Sequence, residues 1–294
     1  MPDYPSAVAD LTAGLKSGGY LADRGLATAL HVALTLRRPL LLEGEVGVGK
    51  TELAKTLASV YDRTLIRLQC YEGIDASQAI YEWDYARQLL HIRAIQTFMP
   101  NDSGQSAPDQ IFSSRFLLER PLLAALKAGD SAVLLIDEVD RADDEFEAFL
   151  LEILSDFQVT IPEIGTIKAQ TRPAVILTSN RTRELHDALR RRCLYHWLGY
   201  PAAAREAEIV HARVPEAAAE LTRKVVAAVH RLRDLDLAKP PGVAETIDWV
   251  ATLGVLGEDD LTAQAAHDTL GAVIKDRDDM DLARQSLEEI VSGR

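Results

Sequence analysis

Gly44-Glu45-Val46-Gly47-Val48-Gly49-Lys50-Thr51 carries every residue type needed to wrap a chain around a phosphate group. The run fits the pattern G-x-x-x-x-G-K-[ST] in full. Its glycines let the backbone come close to an anion with the N–H groups turned inward. Lys50 supplies a point charge to the β- and γ-phosphates of a nucleotide, and the Thr51 hydroxyl is a ligand for Mg²⁺. A helix starting here adds the positive end of its dipole.

A second chemical group ends another apolar run. Asp137 and Glu138 follow Ala132-Val133-Leu134-Leu135-Ile136. Asp137 is placed to hold Mg²⁺ through water, and Glu138 to polarise an attacking water as general base. Acids at a strand end also occur on ordinary soluble surfaces. The complete phosphate loop upstream favours the catalytic reading, and the adjacent glutamate favours hydrolysis that drives motion. Thr178-Ser179-Asn180 offers a polar tip able to reach a γ-phosphate and a water, although Ser and Asn also form plain turns. Arg190-Arg191-Arg192 suits either of two roles. An arginine inserted from a neighbouring subunit neutralises transition-state charge, whereas a solvated basic helix end complements the helix dipole.

These groups need a scaffold of alternating elements. Residues 1–36 read as helical, with a start at Tyr20–Asp23 for the segment bearing Leu26, Leu30 and Ala33. Pro39–Leu42 is a strand that runs into the phosphate loop, and a helix follows from Thr51 to about Tyr61. Thr64–Cys70 reads as a second strand. The stretch 71–130 gives no clear pattern beyond a loop at Asn101–Pro108 and a short helix at Pro121–Lys127. Ala132–Ile136 and Ala174–Thr178 are continuous apolar runs, the mark of strands buried on both faces of a parallel sheet. Between them lie a helix over about 143–157 and a hairpin formed by 159–161 and 166–169. Leu194–Leu198 reads as the last strand. Strands alternating with helices define an α/β class. Beyond Pro201 strand signals vanish, and Leu221, Val225, Val226, Val229 and Leu232 mark a helical stripe. The expected division is therefore a nucleotide-binding domain over 1–200 and a small helical domain over 201–294.

Composition narrows the function. The 294 residues are 47% hydrophobic, enough for a sizeable core. Lys and Arg number 32 against 45 Asp and Glu, a formal charge of −13. That balance argues against nucleic acid as the main partner, because phosphate contacts need a basic face. The two cysteines, Cys70 and Cys193, are too few for a disulfide framework and too far apart for a zinc site. The histidines show no metal-ligand spacing. Asp276, Asp278, Asp279 and Asp281 lack the glycine of a calcium loop and read as a helix start. The amino terminus shows no secretion signal, and no apolar run is long enough to span a bilayer. The expectation is a cytoplasmic protein.

Taken in order, Gly44–Thr51, Leu135–Ala142, Thr178–Asn180 and Leu189–Cys193 resemble the AAA+ ATPases. The run Asp137-Glu138-Val139-Asp140-Arg141-Ala142 resembles their MoxR branch. Within it, Asp23–Ala29, Leu185–Tyr195 and Pro241–Trp249 resemble the ATPase associated with carbon monoxide dehydrogenase maturation. The resemblance implies a P-loop parallel sheet flanked by helices and followed by a helical lid. It implies ATP as the nucleotide, with Mg²⁺, and a ring of subunits, a hexamer, with nucleotide between neighbours. Asn180 becomes the sensor-1 residue, and Arg191 and Arg192 become candidate trans-acting fingers. A helical insertion is implied between the second and third strands, and a branch-specific hairpin over 159–169. Implied partners are a von Willebrand A-domain protein and a molybdenum-containing hydroxylase undergoing maturation. One departure stands out. Relatives carry Ser-Pro-Arg at the start of a lid helix, whose arginine touches the γ-phosphate, whereas here the run is Pro241-Gly242-Val243-Ala244-Glu245. Sensing from the lid is then weak or uses another residue, such as Lys239. The leading expectation is an ATP-hydrolysing chaperone of a metalloenzyme. The alternatives are a nucleic-acid motor and a nucleotide-bound scaffold with little turnover.

Overall fold

The computed structural model of the protein describes residues 4–98 and 112–293. The loop expected at Asn101–Pro108 lies outside them.

The elements run in this order. Helices α1 (Val8–Ser17) and α2 (Arg24–Leu36) precede strand β1 (Leu40–Gly44), helix α3 (Lys50–Val60) and strand β2 (Thr64–Gln69). Then come α4 (Ala76–Ala79), β3 (Tyr81–Trp83), α5 (Tyr85–Phe98), β4 (Leu117–Glu119) and α6 (Pro121–Ala128). Next are β5 (Ala132–Asp137), α7 (Asp144–Asp156), β6 (Gln158–Ile161), β7 (Gly165–Lys168) and β8 (Ala174–Ser179). Helix α8 (Asp187–Arg192) and strand β9 (Leu194–Leu198) follow. The rest is helical: α9 (Ala203–Arg213), α10 (Ala219–Arg233), α11 (Val243–Leu256), α12 (Ala263–Val273), α13 (Arg277–Gln285) and α14 (Leu287–Ser292).

Five strands form a parallel sheet in the order β2-β5-β8-β1-β9. Every residue of β1 and β5 is buried, as continuous apolar runs require when helices cover both faces. Strands β2 and β5 pair in parallel with Gln69 beside Asp137. Strands β5 and β8 pair likewise, with Ile136 beside Leu177. A parallel sheet brings the carboxyl ends of its strands to one edge, where α/β proteins build their sites.

The expected elements appear with small shifts. Helix α2 begins at Arg24, after Tyr20–Asp23 rather than within it. The Asp143 carboxylate caps α7 by accepting from the Phe146 N–H at 2.8 Å, and the helix stops at Phe157, whose φ of 51° is left-handed. The stretch without a clear pattern holds α4, α5 and the antiparallel pair β3–β4. Strands of three residues are too short to show a period of two. Asp276 caps α13, so the acidic cluster there is a helix start.

The chain forms two compact units. One comprises Met1–Leu11, Arg24–Leu42 and Leu57–His196, the other Thr12–Asp23, Glu43–Thr56 and Trp197–Arg294. In the first, Leu41, Leu134, Ile136 and Leu177 pack with Phe146 and Leu150. In the second, the stripe of α10 packs with Trp249, Leu253 and Leu270. Trp249 is fully buried, and its indole N–H donates to Thr269 Oγ1 at 2.7 Å, so its polar atom is satisfied inside an apolar core.

Candidate nucleotide site

The phosphate loop lies where sequence placed it, between the end of β1 and the first turn of α3. Lys50 is nearly buried, and its ammonium donates to the carbonyls of Gly44 at 2.8 Å and Glu45 at 2.6 Å. Gly44 is a glycine for lack of room: an added Cβ would lie 1.9 Å from the Leu198 carbonyl oxygen. Gly47 has φ +75°, and a Cβ on it would lie 2.9 Å from the Gly242 Cα. The reason is a contact that motif reasoning missed. The Gly47 carbonyl accepts hydrogen bonds from the N–H groups of Val243 at 3.1 Å and Ala244 at 3.3 Å. The amino end of α11 therefore rests on the loop itself. Glu245 closes that end by accepting from the Gly242 N–H at 2.9 Å. No arginine occupies this turn. Lys239, the alternative lid cation, donates to Asp276 at 3.1 Å.

A buried network holds this helix end. Glu206 is wholly buried and takes two hydrogen bonds of 2.7 Å from Arg233 and one of 2.6 Å from Thr246. Arg233 also donates to the Pro241 carbonyl at 2.7 Å and lies 4.2 Å over the Tyr200 ring. Burial alone would push the Glu206 carboxyl up. The hydrogen bonds from Arg233 and Thr246 outweigh it and hold the carboxyl below its ordinary value.

In the other unit, Asp137 and Glu138 end β5. Asp137 is buried, and its two oxygens are held from opposite sides. Thr178 Oγ1 donates to one at 2.5 Å and Arg67 Nε to the other at 3.0 Å. Arg67 and Gln69 are two apart on β2 and share a face. Arg67 also donates to the Gln69 side-chain oxygen, and the Gln69 amide donates to Glu138 Oε2 at 3.0 Å. Arg141 meets the same oxygen at 2.9 Å. One hydrogen-bonded chain thus joins the two acids through residues that sequence reasoning did not single out. Glu138 itself has φ 54°, left-handed for a residue with a side chain, a conformation costing about 1–2 kcal/mol. Its N–H donates to Thr178 Oγ1 at 2.9 Å, which fixes the turn.

Asn180 follows β8 and is positioned by Asp140. That buried carboxylate accepts from the N–H groups of Asn180 at 3.2 Å and Thr182 at 2.8 Å. Asp140 was visible in sequence only as a motif letter. Of the three arginines, Arg191 and Arg192 are exposed and Arg190 is half-buried, its guanidinium 5.8 Å from the Tyr195 ring centre. Cys70 and Cys193 are both buried. Burial, with Asp137 nearby, pushes the Cys70 thiol up to about 12, and burial does the same to Cys193, so neither is a nucleophile at neutral pH.

Asp137 is a buried carboxylate of the kind a hard cation such as Mg²⁺ takes beside water and phosphate oxygens, and one of its oxygens is engaged by Arg67.

Residues 39–193 match the AAA domain, dynein-related subfamily. The chain belongs to this family. The match runs from the start of β1 to the end of the arginine triplet and so takes in the phosphate loop, Asp137, Glu138, Asn180 and the three arginines. Among curated relatives of this AAA chain, the Bacillus subtilis protein YojN is 29% identical over 184 residues, covering 60% of this chain and 53% of its own. A Staphylococcus haemolyticus protein, SH1500, is 28% identical over 178 residues, covering 58% and 59%. Both are described as uncharacterized. The chain spans about a third to three fifths of the length of the relatives it matches. Among solved structures, one Thermotoga maritima RuvB mutant superposes with TM-score 0.51 at 17% identity, covering 98% of this chain and 80% of that one. At that identity the likeness shows the AAA+ fold alone. Among the described residues no helix is long and apolar enough to cross a membrane.

Proposed function

We propose that this AAA protein hydrolyses ATP to ADP and phosphate and uses the turnover to remodel a partner protein. The observation that carries the reading is the Asp137–Glu138 pair at the end of a fully buried central strand, in a chain with a complete phosphate loop. In this reading the amides of Gly44–Thr51 cradle the phosphates, with Lys50 on the β- and γ-phosphates. Thr51 and Asp137 would hold Mg²⁺, whose charge would offset that developing on the phosphate oxygens. Glu138 takes a proton from the attacking water. Asn180 orients the γ-phosphate, and Arg191 or Arg192 serves the site of the next subunit in a ring.

The MoxR resemblance supports a finer version. Here the ring is a hexamer of cytoplasmic subunits, with 1–200 as nucleotide domain and 201–294 as lid. It works with a von Willebrand A-domain protein on a metalloenzyme, a molybdenum hydroxylase of the carbon monoxide dehydrogenase type. The test is phosphate release by the purified chain beside Lys50→Ala and Glu138→Gln, with nucleotide binding followed separately. The proposal expects Glu138→Gln to bind ATP without turnover and Lys50→Ala to lose binding. Turnover undiminished in Glu138→Gln would overturn it. Adding a purified von Willebrand A-domain partner and its hydroxylase, and assaying metal-centre insertion, tests the finer version.

A second reading, a nucleotide-bound scaffold, draws on one observation. Both acids are engaged by Arg67, Gln69 and Arg141, and the run Pro241–Glu245 holds no arginine. Stoichiometric ATP retained without release, with or without partner, is its signature.

A further inference from the structure

A cavity of about 260 Å³ opens at the amino ends of β1 and β8, lined by Leu40 and Ala174–Ile176. Asp137 and Asn180 lie at or beyond the carboxyl ends of β5 and β8. A strand of six residues separates the two edges by roughly 20 Å, so this cavity is not part of the nucleotide site. Its floor is apolar, with Leu30, Leu40 and Val175 all buried. Its rim is basic. Arg37, Arg38, Arg63 and Arg172 line it against a single acid, Asp130. Four guanidinium groups around one cavity run against a chain of net charge −13.

The arginines divide by what holds them. Arg38 donates to the carbonyls of Arg191 at 2.9 Å and Arg192 at 3.1 Å, at the end of α8. Arg63 donates to the Asp130 carbonyl and lies 5.0 Å over the Tyr4 ring. Arg37 and Arg172 are exposed and make no ion pair among the described residues. Arg172 is steadied by the Phe157 ring, 4.7 Å below its guanidinium. Arg37 has φ 52° as the residue that closes the carboxyl end of α2, its N–H donating to the Leu34 carbonyl and that of Arg38 to the Ala33 carbonyl. Tyr4 also lines the cavity. Its hydroxyl is buried without a hydrogen-bond partner among the described residues. Burial pushes that phenol up to about 12, so it stays a donor at neutral pH.

From the arginine rim, the apolar floor and the cavity's size, we infer that this cavity binds a small organic anion, a carboxylate or phosphate monoester on a compact apolar body. Roughly 150 Å³ admits a benzene ring, so about 260 Å³ takes a ring with its anionic group. Arg172 and Arg37 hold the anion by charge-assisted hydrogen bonds, and the floor takes the ring.

The test is calorimetric titration of the full chain, saturated with ADP and Mg²⁺ so that the phosphate loop is filled. The probes are phenyl phosphate, benzoate and inorganic phosphate. The expected result is one site for phenyl phosphate or benzoate, with inorganic phosphate about tenfold or more weaker for want of the apolar contact. Arg37→Ala and Arg172→Ala change exposed side chains, so both variants are expected to fold, as circular dichroism would check. Each should weaken phenyl phosphate about tenfold while leaving ADP affinity unchanged. The inference is overturned if no organic anion binds at millimolar concentration, if inorganic phosphate binds as tightly as phenyl phosphate, or if both variants bind like the parent.

Discussion

Arg67 is the residue on which the chemistry of the two acids turns. It pairs with Asp137, which is buried, and through Gln69 it reaches Glu138. In the proposed mechanism a metal ion and Arg67 would compete for the same carboxylate. Arg67→Met should therefore lower the Mg²⁺ concentration at which nucleotide binding is half-saturated. It should also destabilise the metal-free protein by about 1–3 kcal/mol, the cost of an orphaned buried acceptor. Titrating Mg²⁺ against a fluorescent ATP analogue, with denaturant unfolding alongside, checks both, and an unchanged Mg²⁺ midpoint would show that the pair is only structural. Gly47 gives a second prediction at this scale. Gly47→Ala places a methyl against the Gly242 backbone at 2.9 Å and at a positive φ. It should weaken nucleotide binding at least about tenfold while most of the fold survives, measured by the same titration. Binding unaffected by the methyl would show that the loop can move away from α11.

Among the elements, α11 matters through its first turn, and Glu206 is what holds it. Because the Glu206 carboxyl is held below its ordinary value of 4.5, its contribution is fully present above that value. It is lost as pH falls through the lower folded-state value. Glu206→Gln leaves Arg233 buried without its counter-charge, and should cost about 3 kcal/mol at neutral pH. His230 Nε2 lies 2.9 Å from the same carboxylate, so melting curves of parent and variant should converge only in acid strong enough to protonate Glu206. A gap that persisted there would contradict the assignment. The elements also show what sequence could reveal. Leu40–Gly44, the phosphate loop and Ala132–Glu138 were legible because each is a contiguous run whose pattern needs no distant partner. Arg67 and Gln69 were not, since they meet the acids only through the register of β2 on β5. The docking of Val243 and Ala244 on Gly47 was equally hidden, for it joins segments nearly two hundred residues apart. The β3–β4 pair escaped because its strands are too short to carry a period.

For the molecule as a whole, membership of the AAA family places the candidate chemistry on one parallel sheet, followed by a helical region. The net charge of −13 weighs against a motor on DNA, since long-range repulsion from phosphate backbones opposes one. DNA should therefore leave turnover unchanged at physiological salt, and salt-sensitive stimulation by DNA would revive the motor reading. What the proposal needs most is catalysis shared between subunits, because Arg191 and Arg192 are exposed. The measurement that tests this most directly is ATP turnover per chain against protein concentration, beside Arg192→Ala and Arg191→Ala. The account predicts that turnover rises cooperatively with concentration, and that one of the two variants abolishes it while ATP still binds. Turnover that is flat with concentration and indifferent to both arginines would contradict it.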